Sequence, residues 1–294
     1  MSDLKDYIKE KRPSLSVSSI KTYNSILCSL YKKVFGAGEI EKSKFEDTDK
    51  ILEHLRDLPP NKRKTILSAL VIITDDKKYR DLMLDDIKDY NHEISKQEKS
   101  ETQKENWVGM EQIKTLWATL KKNADLLYKK ETLTPNDLQA IQSFVLLSLA
   151  GGIFVPPRRA KDLVDWKIRN VDKTKDNYFE KSAIHYNSYK TAKTYGEQVV
   201  QIPTPLKTIL NKWLKVNPTD WLLFDTNQNK LTSVKLNQRL NKLFDGKVSV
   251  NNFRHSYLTE KYGDAMKVQK EMEADMTEMG TSAKNMATTY IKNG

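Results

Sequence analysis

The chain has 294 residues, 38% of them hydrophobic and 30% charged, which fits an ordered protein of about two domains, each with its own core. Lys and Arg outnumber Asp and Glu by 50 to 39, for a net charge of +11; this favours polyanionic partners, although a lysine-rich surface alone gives the same excess. The single cysteine, Cys28, excludes an internal disulfide and a cysteine-based zinc site.

Other features of the sequence exclude secreted, membrane-spanning and metal-binding classes of protein. The first residues are too charged for a secretory signal peptide. The most apolar stretch, Phe144 to Val155, is too short to span a bilayer. The four histidines lack the spacing of metal ligands. We therefore expect an intracellular protein of a reducing compartment, with no membrane span, no metal and no cofactor.

The first ninety residues show helical periodicity. Apolar residues recur at helical spacing over 17–34, 50–58, 62–74 and 79–90, and the second of these segments ends at Pro59-Pro60. These segments predict a compact helical domain over residues 1–94. Residues 95–106 are polar and without apolar periodicity, and we interpret them as an interdomain linker.

The second domain is expected to cover residues 107–294. Helices are predicted over 110–123 and 135–150, the latter capped by Thr134 with Pro135 at its first position. Three short strands are predicted at 168–171, 182–190 and 198–202, followed by a helix from Thr204. The expected fold class is mainly α with a small three-stranded antiparallel β-sheet.

Four segments of this second domain combine residues suited to phosphate chemistry. They are PPRRAKDL from Pro156 to Leu163, SYKTAKTY from Ser188 to Tyr195, NNFRHSY from Asn251 to Tyr257, and MGTSAKNMATTY from Met279 to Tyr290. Guanidinium groups bind phosphate oxygens bidentately. A tyrosine can attack a phosphorus once a positive field or a base activates it, and a lysine can protonate a leaving oxygen.

In order and approximate spacing, the four segments resemble the tyrosine recombinase (phage integrase) family. The resemblance extends from Trp107 to the end of the chain. It implies that Arg159 and Arg254 are the two catalytic arginines and that Tyr290 is the nucleophile, ten residues after Gly280. A lone tyrosine near a terminus would more often be an ordinary surface residue; the other three motifs in order favour the catalytic role.

The catalytic lysine has two candidates. The resemblance places it on the second-strand side of a β-hairpin, which favours Lys190, with Lys193 as the alternative. Arg158 is the fallback for Arg159. Contacts with DNA are also expected from Arg158, Lys193 and His255. For His255, a helix position that packs inward is a better expectation than a substitute catalytic role.

Two positions depart from the family pattern. Asn251 stands where a histidine precedes the second arginine, and Thr281 stands where a late histidine or tryptophan is expected. Both residues can donate a hydrogen bond to a phosphate oxygen, but neither can shuttle a proton as histidine does. They are included in the expected catalytic set, and they also favour an alternative in which the fold is kept and catalysis is impaired or lost.

The resemblance implies a site-specific recombinase or integrase that cleaves and rejoins DNA through a covalent 3′-phosphotyrosyl intermediate. It further implies a two-domain clamp around double-stranded DNA, in which the N-terminal helical domain binds the core site. The family assembles as a homotetramer on paired DNA sites, and its members are typical of viruses and other mobile elements. A type IB topoisomerase-like enzyme, which relaxes DNA without pairing sites, is a second alternative.

Overall fold

The computed structural model describes residues 4–282 and divides the chain into two compact units, Met1–Lys99 and Ser100–Gly294. The division falls inside the segment predicted as a linker. That segment is not wholly irregular, because Ser100 caps a short helix: its hydroxyl accepts the N–H of Gln103, and the Gln103 side chain accepts the N–H of Ser100.

The first unit is helical. Its elements are α1 (Lys5–Lys11), α2 (Val17–Phe35), a 3₁₀ turn (Lys42–Glu46), α3 (Thr48–Leu55), α4 (Pro60–Thr74) and α5 (Lys77–Ser95). The four predicted helices are confirmed with shifted ends, whereas α1 and the 3₁₀ turn were not predicted. Apolar side chains from all five helices form one buried core, and the Tyr79 hydroxyl donates to the Phe45 carbonyl across it at 2.9 Å.

The second unit surrounds a buried helix. Its helices are α6 (Glu101–Glu105), α7 (Met110–Leu127), α8 (Pro135–Ala150), α9 (Ala160–Val164), α10 (Ala192–Tyr195), α11 (Thr204–Val216), α12 (Ser233–Phe244) and α13 (Val250–Glu278). From Ile141 onwards every side chain of α8 is buried. The predicted cap is confirmed, because the Thr134 hydroxyl accepts the Asp137 N–H. Gly151 follows the helix as predicted.

The sheet of the second unit has three antiparallel strands in the order β1 (Tyr178–Glu180), β2 (Ala183–Tyr186) and β3 (Gln198–Gln201). Tyr178 pairs with His185, and Ile184 pairs with Val200. The predicted fold class, mainly helical with a small three-stranded antiparallel sheet, is therefore confirmed.

The strand predicted at 168–171 is wrong. Trp166 and Lys167 form only isolated bridges, and the first true strand starts ten residues later. Arg169 donates to the carbonyls of Thr219 and Asn217, and Asn170 adopts φ +50°. A left-handed residue interrupts the extended backbone that a strand needs.

The second strand is shorter than predicted because a buried side-chain amide binds the backbone N–H groups of the residues that follow it. The Oδ1 atom of Asn177 accepts the N–H groups of Asn187 at 2.9 Å and Ser188 at 2.7 Å. Those N–H groups are then unavailable to a sheet ladder, so β2 ends at Tyr186.

The described part of the chain lacks two kinds of feature. Within residues 4–282, no helix combines the length and apolar character needed to cross a bilayer. The same residues contain no cluster of three or more His, Cys, Asp or Glu side chains placed to hold a metal ion.

Candidate active site

Arg159 occupies the N-cap position of α9 with extended backbone, φ −74° and ψ 157°. Its side chain is exposed. Within residues 4–282 its guanidinium makes no hydrogen bond and no ion pair. All five N–H donors are therefore available to a ligand.

Arg254 lies in the second turn of α13 and is half-buried. The start of this helix is fixed to the segment before α7. The Asn252 amide donates to the Asn106 carbonyl at 3.1 Å, and the Ser256 hydroxyl donates to the Val108 carbonyl. Arg254 therefore projects from an anchored helix end.

The two arginines predicted from the sequence lie within electrostatic range of one another. Burial lowers the pKa of Arg254 below its ordinary value, and the positive charge of Arg159 lowers that pKa further. The carboxylate of Asp162 opposes the effect, and Arg158 adds to it. Like charges held together in this way are stabilised by an anion, and guanidiniums bind phosphate, like carboxylate, bidentately.

A glycine permits the close approach of these two segments. Gly152 has φ +74°, and a Cβ placed on it would lie 2.8 Å from Cδ2 of Tyr257 and 3.3 Å from Cγ of Pro157. The chain leaving α8 therefore passes directly against α13, near Arg254, before it reaches Arg159. Any larger residue at position 152 would separate the two segments.

Asn251 joins Arg254 in a short polar chain. The Asn251 Oδ1 atom accepts from Nη1 of Arg254 at 3.3 Å, and its Nδ2 atom lies 3.1 Å from Nε2 of His255. His255 is exposed rather than packed inward, so that expectation was wrong. Asn251 thus orients the guanidinium in the place where the family pattern has a histidine.

Arg158 has a very different environment from Arg159. Its Nε atom donates to Asp162 at 3.0 Å, and its Nη1 atom donates to Gln198 at 2.7 Å. The guanidinium also lies over the Tyr186 ring, 4.1 Å from its centroid. Its contacts are thus within the protein, and Arg159 is the arginine free to bind a ligand.

Both candidate lysines lie in the connection between β2 and β3. Lys190 and Lys193 are exposed, and neither forms a hydrogen bond or ion pair with another residue of the described range. Tyr189, the neighbour of Lys190, is buried and packs 5.2 Å from Arg158. The contacts of Tyr189 link Lys190 to the arginine segment but do not decide between the two lysines.

The β2–β3 connection is held in place by residues that the sequence did not predict to be functional. Besides accepting from the hairpin, Asn177 donates to the carbonyls of Asp162 at 3.0 Å and Ser188 at 2.8 Å. It is fully buried. An isolated asparagine before a short strand has no local signal of such a role, because its partners come from two other segments.

Asp165 supports the same connection from the end of α9. Its carboxylate accepts from Lys230 at 2.6 Å and from Ser188 at 3.1 Å, and it pairs with Lys161. Burial alone would raise the pKa of Asp165, but the hydrogen bonds from the two lysines outweigh burial and lower the pKa. The carboxylate stays ionised and holds Ser188 beside α9.

Thr281 is not brought to the arginines. The α13 helix is continuous from Val250 to Glu278, so about 36 Å of helix axis separates Arg254 from its C-terminal end. Thr281 lies just beyond that end, where its N–H donates to the Met276 carbonyl at 3.0 Å and Gly280 has φ +63°. This is a Schellman cap, which explains the glycine. Tyr290 lies outside the described residues.

The described residues therefore place an exposed Arg159 within electrostatic range of Arg254, whose guanidinium donates a hydrogen bond to Asn251. Bidentate guanidinium contacts would act most strongly when negative charge grows on the non-bridging oxygens of a phosphate. An exposed lysine of the β2–β3 connection is the kind of group that can deliver a proton to a leaving oxygen.

Comparison with known proteins gives only distant similarity. No protein-family model and no curated protein sequence matches the chain. A structure of a lambda integrase dimer bound to a COC′ core site is 12% identical, with a TM-score of 0.45 over 98% of this chain and 75% of that one. A second structure of lambda integrase, also a dimer on a COC′ core site, is 12% identical, with a TM-score of 0.43 over 99% and 96%. A similarity this distant defines neither activity nor site residues.

Proposed function

We propose that this protein is a DNA strand transferase of the tyrosine recombinase type. The Tyr290 phenol attacks a backbone phosphorus, a 3′-phosphotyrosyl bond forms, and the bond to the 5′-oxygen breaks. The observation that carries the proposal is that Arg254 lies within electrostatic range of Arg159, an exposed arginine of a distant segment that makes no hydrogen bond or ion pair with the described residues. The order of the four sequence motifs supports it independently.

Each residue of the site has a role that its chemistry permits. Arg159 and Arg254 clamp the non-bridging oxygens, and their field favours the phenolate over the phenol, whose ordinary pKa is about 10. Lys190 donates its ammonium proton to the departing 5′-oxygen. In the reverse step the 5′-hydroxyl returns its proton and attacks the phosphotyrosine, which reseals the strand without an external energy source.

The substrate in this proposal is double-stranded DNA, consistent with the net charge of +11. Recombination further requires two DNA sites held together by a homotetramer, with the helical N-terminal unit and the second unit both contacting each site. A DNA-relaxing enzyme would need neither pairing nor tetramers. Resolution of a junction built from two sites separates these possibilities.

A second candidate function is DNA binding without catalysis. Two observations favour it: Asn251 occupies the place of a proton-shuttling histidine, and Thr281 lies at the far end of α13. A protein of this kind would still bind phosphates through Arg159 and Arg254. It would not form a covalent bond to DNA.

Covalent capture decides between the two functions whatever the target sequence is. The protein is incubated with a library of randomised, nicked duplexes, and DNA that remains attached in denaturing detergent is sequenced. We expect an adduct that Tyr290→Phe abolishes and Tyr262→Phe, a change at an exposed tyrosine of α13, leaves intact. Arg159→Ala should lower its rate on the order of a hundredfold, as for the loss of one oxyanion donor. DNA binding without an adduct would establish the non-catalytic alternative.

A further inference from the structure

We propose that Arg158 is a positioning residue that tethers the β2–β3 hairpin to the segment bearing Arg159, and that it does not bind DNA. The inference rests on the proposed function for its catalytic consequence. The tether itself is a structural claim that can be tested without any activity.

The contacts of Arg158 join three parts of the second unit. One edge of its guanidinium donates to Asp162 on α9, which is only 1% exposed, and another donates to Gln198 at the start of β3. Its planar face covers the ring of Tyr186, the last residue of β2. One side chain therefore fixes both strands that flank the hairpin connection relative to α9.

These contacts leave Arg158 poorly suited to phosphate. Bidentate recognition needs one free edge of the guanidinium fork, and each edge of Arg158 already has one donor engaged, Nε by Asp162 and Nη1 by Gln198. Its side chain is 22% exposed. The neighbouring Arg159 is exposed and makes no hydrogen bond with the described residues. Arg158 therefore supports the structure, and Arg159 is the arginine available for binding.

The charge of Arg158 is also needed where it lies. Asp162 is buried, and its Oδ1 atom has no hydrogen-bond partner, so Arg158 provides its one direct ion pair within the described residues. Without Arg158 a carboxylate would be left buried and unpaired beside the site, which is costly. A lysine at this position would keep the charge. It could not donate hydrogen bonds in two fixed directions and at the same time cover the Tyr186 ring.

The tether matters for chemistry because Lys190 lies on the connection that it anchors. The buried Tyr189 ring packs against Arg158, and the Tyr189 hydroxyl donates to the Gly196 carbonyl across the connection at 2.7 Å. A displacement of about 1 Å in a proton donor can cost roughly a hundredfold in rate. Loosening Arg158 should therefore slow the covalent step and leave DNA affinity unchanged.

The test compares Arg158→Lys and Gln198→Ala, which loosen the tether from opposite ends, with Lys122→Gln, a change at an exposed lysine of α7. Trypsin cleavage after Lys190 and Lys193 reports the hairpin directly. Both tether variants should be cleaved several-fold faster than the parent protein. The double variant should be little worse than Arg158→Lys alone, since Gln198→Ala removes an interaction that Arg158→Lys already weakens. The control should be cleaved at the parent rate.

Two further measurements separate the tether from a DNA contact. With captured DNA, the tether variants should form adduct at least about tenfold more slowly, with an unchanged dissociation constant and an unchanged slope of log affinity against log salt. A weaker affinity of Arg158→Gln, which removes the charge, with a salt slope smaller by about one would identify Arg158 as a phosphate contact and overturn the inference. Unchanged trypsin cleavage would also overturn it. If the parent protein forms no adduct, the proposed function fails while the cleavage measurement still judges the tether.

Discussion

The two adjacent arginines at the candidate site show that backbone conformation determines the direction in which a side chain points. Arg159 has extended φ and ψ values, and successive side chains of an extended segment point to opposite sides. Arg158 is consequently turned towards Asp162 and Tyr186, while Arg159 is turned away from them. The sequence could rank the two only by family resemblance, because nothing local distinguishes them.

At the residue scale, Gly152→Ala should destabilise the second unit by about 2 kcal/mol. The native φ of +74° is unfavourable for alanine, and the new Cβ would collide with Tyr257. The free energy of unfolding in urea measures the loss, and adduct formation should fall with it because Arg159 and Arg254 would be separated.

Gly246→Ala is the matched control for that experiment. Gly246 is a loop glycine of the same unit, and a Cβ there would lie 3.7 Å from the Phe244 carbonyl, in ordinary contact. Its effect should stay within about 0.5 kcal/mol. Equal stability of the two variants would show that the close approach at Gly152 is not required.

Arg239 provides a second prediction at this scale. Burial lowers its pKa to about 10, its Nη1 atom is buried without a hydrogen-bond partner, and it has no ion pair within the described residues. Its Nη2 atom donates to the Gln139 side chain and to the Phe224 carbonyl. Arg239→Met should be nearly neutral, since the loss of these hydrogen bonds to neutral groups is offset by the removal of a desolvation cost.

Arg63→Met is the contrasting change. Arg63 pairs with the buried Asp86 through two hydrogen bonds, at 2.9 and 2.7 Å, so its removal leaves a carboxylate without a partner. We expect a loss of about 3 kcal/mol or more in the first unit. Calorimetry of both variants would contradict this reasoning if Arg239→Met proved the more damaging change.

At the scale of elements, local signals predicted the helices well and the strands less well. The helices α2, α4 and α8 have periodic apolar residues and terminal signals within their own segments, so their positions follow from local sequence. Strand ends depend on partners far away in the chain. The capture of two hairpin N–H groups by Asn177 illustrates a long-range contact that no local pattern reveals.

The N-terminus of α8 gives a prediction about pH. Asp137 accepts hydrogen bonds from Lys130 and from the Thr134 N–H, and these lower its pKa to about 2. Because the folded pKa is below the ordinary value of about 4, the ionised carboxylate stabilises the fold above that value. The stabilisation disappears as the pH falls from about 4 towards 2.

Asp137→Asn should therefore lower the free energy of unfolding near neutral pH, and the difference from the parent should shrink progressively below about pH 4. Urea denaturation at several pH values measures the difference. Glu131→Gln, a change at an exposed carboxyl nearby, serves as the comparison. A difference that stays constant down to acidic pH would mean that the charge of Asp137 has no part in the cap.

At the scale of the whole molecule, the length of α13 limits where Tyr290 can act as the proposed nucleophile. Tyr290 comes eight residues after Ser282, and a fully extended chain of eight residues spans at most about 28 Å. The helix end lies about 36 Å along the axis from Arg254. While α13 remains continuous, this maximum span is shorter than the axial distance. A tyrosine reaching its own arginines would need a fully extended chain and the length of the side chains as well, which is entropically unfavourable.

We therefore expect Tyr290 to act at the arginines of a second copy of the chain, a consequence that the four motifs alone did not predict. Arg254→Ala and Tyr290→Phe should each fail to form a covalent adduct, and an equal mixture of the two should regain it. In the mixture, an intact Tyr290 from one copy meets an intact Arg254 in another. Denaturing gels of captured DNA measure the adduct, with each variant alone at doubled concentration as the control. If the mixture stays inactive while the parent protein is active, α13 must bend on DNA to bring Tyr290 back to its own site. The bend is then expected at Gly263, in the middle of the helix, because glycine weakens a helix interior by about 1 kcal/mol relative to alanine.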